Sequence, residues 1–249
     1  MIKLDFHIHS NFCDGKNSAE EMILSAIEKG LDTVGICCHS YTFFDLTYCI
    51  KENDESRFQQ EISRLKQKYA DKIKVLCGVE QDYYSTTSTD GFDYVIGSVH
   101  YLKVEDKYYS VDHKTEVLKE NVRNGFDGDF YAAAESYFST VADVVCKTGA
   151  DIIGHFDLIS KFNENDLLFD SDNPRYIAAW KSAVDKLVLS GKPFEINLGG
   201  IARGIKTQPY PSLEMIKYIK EKGGKFILSS DAHKKENVAF CFSDYERFI

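Results

Sequence analysis

Six of the seven histidines in this 249-residue chain fall at or just beyond the ends of short, β-prone apolar runs. They are His7, His9, His39, His100, His155 and His233; only His113 lies elsewhere. Glu80 and Asp231 occupy the same kind of position. Neutral imidazole is the commonest metal ligand, and two on one face of a strand begin a chelate. Taken alone, His7-Ile8-His9 is more often a half-exposed edge strand than a metal site. Isolated core histidines, however, have no preference for strand ends, so the whole set reads as a metal site. A catalytic zinc takes about three protein ligands, so this many donors imply a polynuclear site.

The donors must be positioned by strands. From Met1 to His9, apolar Ile2, Leu4, Phe6 and Ile8 alternate with Lys3, Asp5, His7 and His9, so both histidines leave on one side. Thr33 to Cys38 delivers His39, Ile73 to Val79 delivers Glu80, and Tyr94 to Val99 delivers His100. Ile152 to Gly154 delivers His155 with Asp157 two residues on, Phe194 to Ile196 delivers Asn197, and Phe226 to Ser230 delivers Asp231 and His233. Helical patterns lie between. Ser18 and Glu21 form a capping box before Met22, Ile23, Ala26 and Ile27. Further helices are expected over Ser56–Tyr69, Asp129–Lys147, Pro174–Ser190 and Ser212–Lys222. The polar stretch Lys103–Gly128 reads as an excursion over the site rather than a second domain. Strands alternating with helices argue a parallel sheet, and after His233 too little chain remains for another unit of about 30 residues. The expected fold is α/β: a distorted seven-stranded (β/α)7 TIM-like barrel, one domain over residues 1–249. In such a barrel the C-terminal strand ends meet at one face, which carries the chemistry.

Composition excludes several classes. The net charge is −9, and basic residues are scattered along helical faces such as Arg64 to Lys68, so no nucleic-acid partner is expected. No apolar run approaches membrane length and no signal segment precedes the first strand, which places the chain in the cytoplasm, with no membrane partner. The seven cysteines lack the spacing of a disulfide framework or zinc ribbon and read as mostly reduced core thiols. Cys37 and Cys38 adjoin His39, yet strand burial accounts for them.

Read in order, the motifs carry a resemblance. His7-Ile8-His9-Ser10, His39-Ser40, Gly78-Val79-Glu80, Gly97-Ser98-Val99-His100, Gly154-His155-Phe156-Asp157, Glu195-Ile196-Asn197 and Ser229-Ser230-Asp231-Ala232-His233 resemble the ordered motifs of the PHP (polymerase and histidinol phosphatase) superfamily. Each motif is weak; the full set, spanning nearly the whole chain, is specific. Stand-alone length, Gly-Ser-Val-His-Tyr and the segment Glu195–Pro211 are most similar to the histidinol-phosphate phosphatases. The resemblance implies a PHP-type barrel and three divalent ions: Zn, Mn or Fe. One would be held by His7, His9, Glu80 and Asp231, a second by Glu80, His100 and His155, a third by His39 and His233. Glu80 would bridge the first two. For the third ion many histidinol phosphatases carry a histidine in the first loop; here Asp14-Gly15 stands there, and Asp14 is the candidate.

The activity so implied is hydrolysis of L-histidinol phosphate to L-histidinol and phosphate, a step of histidine biosynthesis. Clustered cations relieve the repulsion between nucleophile and phosphate and lower the pKa of water from about 16 toward about 7, so a metal-bridging hydroxide is the expected nucleophile. Asp231, Glu80 and His233 form the expected catalytic set, with Asp231 orienting the hydroxide. Asp157 could fix a ligand imidazole from behind, or simply cap a turn. Arg203 and Lys161 match basic positions of the phosphatases and are candidates for binding the phosphate. Gln81, Asp82, Tyr83, Tyr84 and Tyr101 could meet the substrate's ammonium and imidazole, or merely pack. Two other readings stand beside this one: a phosphoesterase acting on another small phosphate, a nucleotide or a nucleic-acid end, and a non-catalytic metal-binding module. The intact set of titratable groups speaks against the last.

Overall fold

The computed structural model describes residues 3–249. Its strands are β1 (Leu4–Asp5), β2 (Thr33–His39), β3 (Lys74–Asp82), β4 (Tyr94–Ser98), β5 (Tyr101–Val104), β6 (Lys107–Ser110), β7 (Ile152–Ile153), β8 (Phe194–Asn197) and β9 (Phe226–Ser229). Seven of them pair in parallel in the order β1-β2-β3-β4-β7-β8-β9, while β5 and β6 form a separate antiparallel hairpin. The seven-stranded sheet curls until its outer strands meet at Ile8 and Ala232. There the His9 N–H donates to Ala232 O at 2.9 Å and the Ala232 N–H to His7 O at 3.1 Å. Asp5 secures the same seam: its buried carboxylate accepts from Ser230 N at 3.2 Å, Ser230 Oγ at 2.5 Å and Ala239 N at 3.0 Å.

Of the opening run, Leu4–Asp5 forms the regular ladder and Ile8 an isolated bridge, and Met1 and Ile2 lie outside the described residues. The helices are α1 (Ala19–Glu28), α2 (Glu55–Lys68), α3 (Thr115–Phe126), α4 (Phe130–Val141), α5 (Val144–Thr148), α6 (Pro174–Leu187), α7 (Gly199–Ala202), α8 (Leu213–Glu221) and α9 (Phe242–Tyr245). The capping box opens α1 as expected, with Ser18 and Glu21 serving each other's backbone N–H groups. The single helix expected over Asp129–Lys147 is instead two. The Asp143 N–H turns back to Thr140 O in a tightened turn, Tyr83 Oη donates to the Asp143 carboxylate at 3.1 Å, and the chain is redirected into β7.

Packing explains both layers. Met22, Ile23 and Ala26 of α1 and Phe58, Ile62 and Leu65 of α2 cover Val34, Ile36 and Val75 of the sheet. Tyr137 and Phe138 of α4 and Trp180 and Val184 of α6 cover Ile153 and Phe194 on the other side. Truncating a buried Phe or Trp of this kind to alanine costs about 3–5 kcal/mol. Inside the barrel, the ring of Tyr94 crosses between β2 and β3, its hydroxyl donating to Phe6 O at 2.5 Å. A Cβ at Gly35 or Gly78 would collide with that ring, so both positions require glycine. This plug fills the barrel beneath the strand ends. No described helix is long and apolar enough to cross a membrane.

Candidate metal centre

Parallel register brings the donors together. His39 and Glu80 are direct partners across β2 and β3, so both side chains rise from the same face. Glu80 is buried, and its two oxygens divide five imidazoles between them. Oε2 lies 3.2 Å from His7 Nε2, 3.3 Å from His9 Nε2 and 2.8 Å from His39 Nδ1. Oε1 lies 3.3 Å from His100 Nε2 and 2.8 Å from His155 Nε2. Yet His7 Nε2, His9 Nε2, His39 Nδ1 and Glu80 Oε2 have no hydrogen-bond partner, although all are buried. Buried polar atoms are almost always hydrogen-bonded, so orphans that converge need another partner. Ligands on one tetrahedral ion, with bonds of about 2.1 Å, lie about 3.4 Å apart, and these donors are spaced to suit. The residues fit divalent cations.

Among the described residues, three overlapping groups have donor atoms all within 4.8 Å of one another: His39, Glu80 and His100; His9, Asp14, His39 and His233; and His7, His9 and Cys37. The second unites Asp14 with His39 and His233 and adds His9 to them; Asp14 Oδ2 lies 3.1 Å from His233 Nε2. In the third, burial pushes the Cys37 thiol up to about 12, so it stays protonated at neutral pH. Asp231 completes the rim, 3.6 Å from His9 Nε2 and 3.8 Å from His7 Nε2. Its backbone is left-handed, with φ of 49°, a conformation that carries strain in a non-glycine residue and clusters at functional sites. Burial disfavours its charge, but Arg203, His7 and His233 hold the carboxyl well below the usual range. Glu80 behaves alike, burial being overcome by His39, His7 and His100. For His7, burial is outweighed by Glu195, Glu80 and Asp231, which raise the imidazole well above its usual range.

Two carboxylates steer these rings from behind. His7 Nδ1 donates to Glu195 Oε1 at 2.7 Å, and His100 Nδ1 to Asp82 Oδ2 at 3.1 Å. Among the described residues Asp157 has no imidazole partner; it accepts from Ser160 Oγ at 3.1 Å, in a turn. The holding of an imidazole thus falls to Glu195 and Asp82. Asp82, expected at the substrate wall, is instead turned away to His100. Period-two alternation from Glu80 along β3 could have indicated it, because the strand runs on to Asp82.

Above the donors opens a cavity of about 1190 Å³. His39, His100, His155, Asp231, His233, Asp14, Arg203 and Lys161 all face it, as does His113. Arg203 donates to Asp231 Oδ2 at 3.1 Å and remains 29% exposed toward the cavity. Lys161 donates to Asp112 O at 2.7 Å and pairs with its carboxylate at 3.2 Å. Phe44, Tyr48, Tyr101 and Tyr108 form an aromatic wall; Phe44 and Tyr108 stack with centroids 3.7 Å apart. Of the residues expected at this wall, Tyr101 lines it, while Gln81, Tyr83 and Tyr84 do not. Sequence reasoning missed Phe44, Tyr48, Tyr108, Asp112 and Glu195.

Residues 5–198 match the PHP domain. The histidinol-phosphatase of Bacillus subtilis is 26% identical over 273 residues, spanning 100% of this chain and 99% of that one. The HisK crystal structure from Listeria monocytogenes superposes with a TM-score of 0.85 at 21% identity, covering 98% of this chain and 100% of that one. The histidinol phosphate phosphatase structure of Lactococcus lactis, a complex with zinc, L-histidinol and phosphate, gives a TM-score of 0.73 at 22% identity over 99% and 93% of the two chains. The last two likenesses establish the seven-stranded barrel. A match over most of the length, with the strand-end histidines within or beside it, makes the chain a member of the PHP domain family.

Proposed function

We propose that the chain is a metal-dependent phosphomonoesterase that hydrolyses L-histidinol phosphate to L-histidinol and phosphate. The observation that carries this is Glu80: a buried carboxylate facing five imidazoles, three of which turn toward it a buried nitrogen without a hydrogen-bond partner, namely His7 Nε2, His9 Nε2 and His39 Nδ1. The name of the Bacillus subtilis relative and the ligands of the Lactococcus lactis structure support the choice of substrate.

Three ions are proposed, with Zn, Mn or Fe as candidates. His7, His9, Glu80 and Asp231 would hold one, Glu80, His100 and His155 a second, and His39, His233 and Asp14 a third. When bound, such cations supply water of lowered pKa and neutralise charge on the phosphate. Asp231 has Oδ2 committed to Arg203, which leaves Oδ1 to orient the attacking oxygen. Arg203 offers the phosphate a planar fork, and its own tether to Asp231 keeps that fork beside the reacting centre. Lys161 adds a second positive charge, held in place by Asp112. The wall of Phe44, Tyr48, Tyr101 and Tyr108 excludes water and presents ring faces to the substrate's imidazole, while the Asp112 carboxylate complements its ammonium.

The test compares kcat/KM for histidinol phosphate, an aryl phosphate and a single-stranded oligonucleotide, before and after chelation. Histidinol phosphate is expected to be preferred, with activity lost on stripping and restored by Zn or Mn. Hydrolysis unchanged after complete stripping defeats the mechanism, and preference for the oligonucleotide defeats the substrate.

A further inference from the structure

Glu195 is a buried carboxylate whose two oxygens serve two different strands. Oε1 accepts from His7 Nδ1 at 2.7 Å. Oε2 accepts from the backbone N–H of His155 at 3.0 Å and from Asn197 Nδ2 at 3.2 Å. A carboxylate that holds Nδ1–H fixes the ring's tautomer and leaves Nε2 free as a ligand. In His7 that Nε2 is the unpartnered atom facing Glu80 and Asp231. His155 needs a tether of another kind. β7 has two residues and pairs with β8 only through Ile153 and Phe194, so the backbone beyond it is held by Gly154 N–H on Gly97 O and by His155 N–H on Glu195. So held, the His155 ring reaches Glu80 Oε1 at 2.8 Å. Asp82 makes the contrast, since its Oδ2 takes both the Nδ1 and the backbone N–H of one residue, His100.

We propose that Glu195 is a positioning residue that sets two metal-holding histidines at once, His7 through its ring and His155 through its backbone, and so couples two cation sites. This rests on the reading of the rim as a divalent-cation centre. An amide cannot replace the carboxylate. With its NH2 toward His7, glutamine would drive the imidazole proton onto Nε2, the atom the cation needs. Turned the other way, it would set a donor against the donors of His155 and Asn197.

The test is a metal titration of the whole stripped protein, wild type against Glu195→Gln and Asp82→Asn, read by cobalt visible absorption and by zinc content after dialysis. Glu195→Gln is expected to raise the dissociation constants of two ions about 10–100-fold, and Asp82→Asn that of one. The thermal midpoint of the metal-free proteins is recorded separately. Wild type that takes up no metal overturns the rim reading and this inference with it. Wild type that loads, beside a Glu195→Gln variant of equal affinity, overturns Glu195 alone and leaves it a strand tether, even if metal-free stability falls. Loss of a single ion in Glu195→Gln removes the coupling. If that variant does not fold, Glu195→Asp takes its place; it keeps the charge but withdraws the oxygens by one methylene, and unchanged affinity for both ions overturns the proposal.

Discussion

The strand-end rim and the aromatic wall face each other across one cavity, and they are built on opposite terms. Apart from the half-buried His233 and Asp14, the rim side chains are buried, and each imidazole meets a carboxylate, another imidazole or both. Their places follow from the sheet register, so a shift in one is resisted by several. The wall comes from the β5–β6 hairpin and the loop after β2, where the neighbouring Phe43 and Leu46 are 51% and 60% exposed. Its contacts are ring on ring, which tolerate exchange of one hydrophobe for another. A rim so over-determined should fix the reaction, while the wall leaves the choice of substrate easy to alter.

That contrast can be broken at its strongest point first. Glu80→Gln should lower kcat by more than about a thousand-fold, beyond the 10–100-fold typical of outer partners, and cost bound metal by elemental analysis. Retention of both would mean the rim does not depend on its central carboxylate. Arg203→Ala should cost about 10–100-fold in kcat/KM, the worth of a charge-assisted hydrogen bond, and should appear mainly in KM. An unaltered KM would remove Arg203 from phosphate binding. Tyr108→Ala should raise KM for histidinol phosphate by up to about 10-fold, as expected for one aromatic contact, while leaving a small alkyl phosphate untouched. Equal effects on both substrates would assign the wall to stability instead.

The smallest effect sharpens the boundary between the two regions. At Asp112, burial is outweighed by Lys161 and His100, which hold the carboxyl down at about 2. A carboxyl depressed on folding contributes stability that is present above its ordinary value, about 4, and fades as pH falls toward about 2. Asp112→Asn should therefore flatten the acid limb of a plot of thermal midpoint against pH over that window. An acid limb as steep as that of wild type would show that the Lys161 pair contributes nothing.

The rim was legible in sequence because strand ends are local features: an apolar run followed by His, Glu or Asp announces both the strand and the direction of its last side chain. Glu195 was hidden within such a run, between Phe194 and Ile196, and only barrel closure reveals that it meets His7, 188 residues away. The wall was illegible for another reason. β5 and β6 are joined at Glu105-Asp106, with Glu105 at φ of 53°, and offer none of the Asn-Gly or Asp-Gly chemistry that marks a tight hairpin. The break between α4 and α5 has no proline or glycine to announce it either; at the turn Asp143 accepts from Tyr83, which follows β3.

The seam between β1 and β9 has a consequence for how the protein matures. Asp5 and Ser230, which bond across it, are 225 residues apart in the chain. During synthesis His7 and His9 therefore emerge early and wait, unable to form a complete nest, until nearly everything downstream has left the ribosome. If the rim holds cations as proposed, their capture must come late, once the two halves of the ring have met, and a nascent chain halted before residue 231 should hold them no better than a loose peptide.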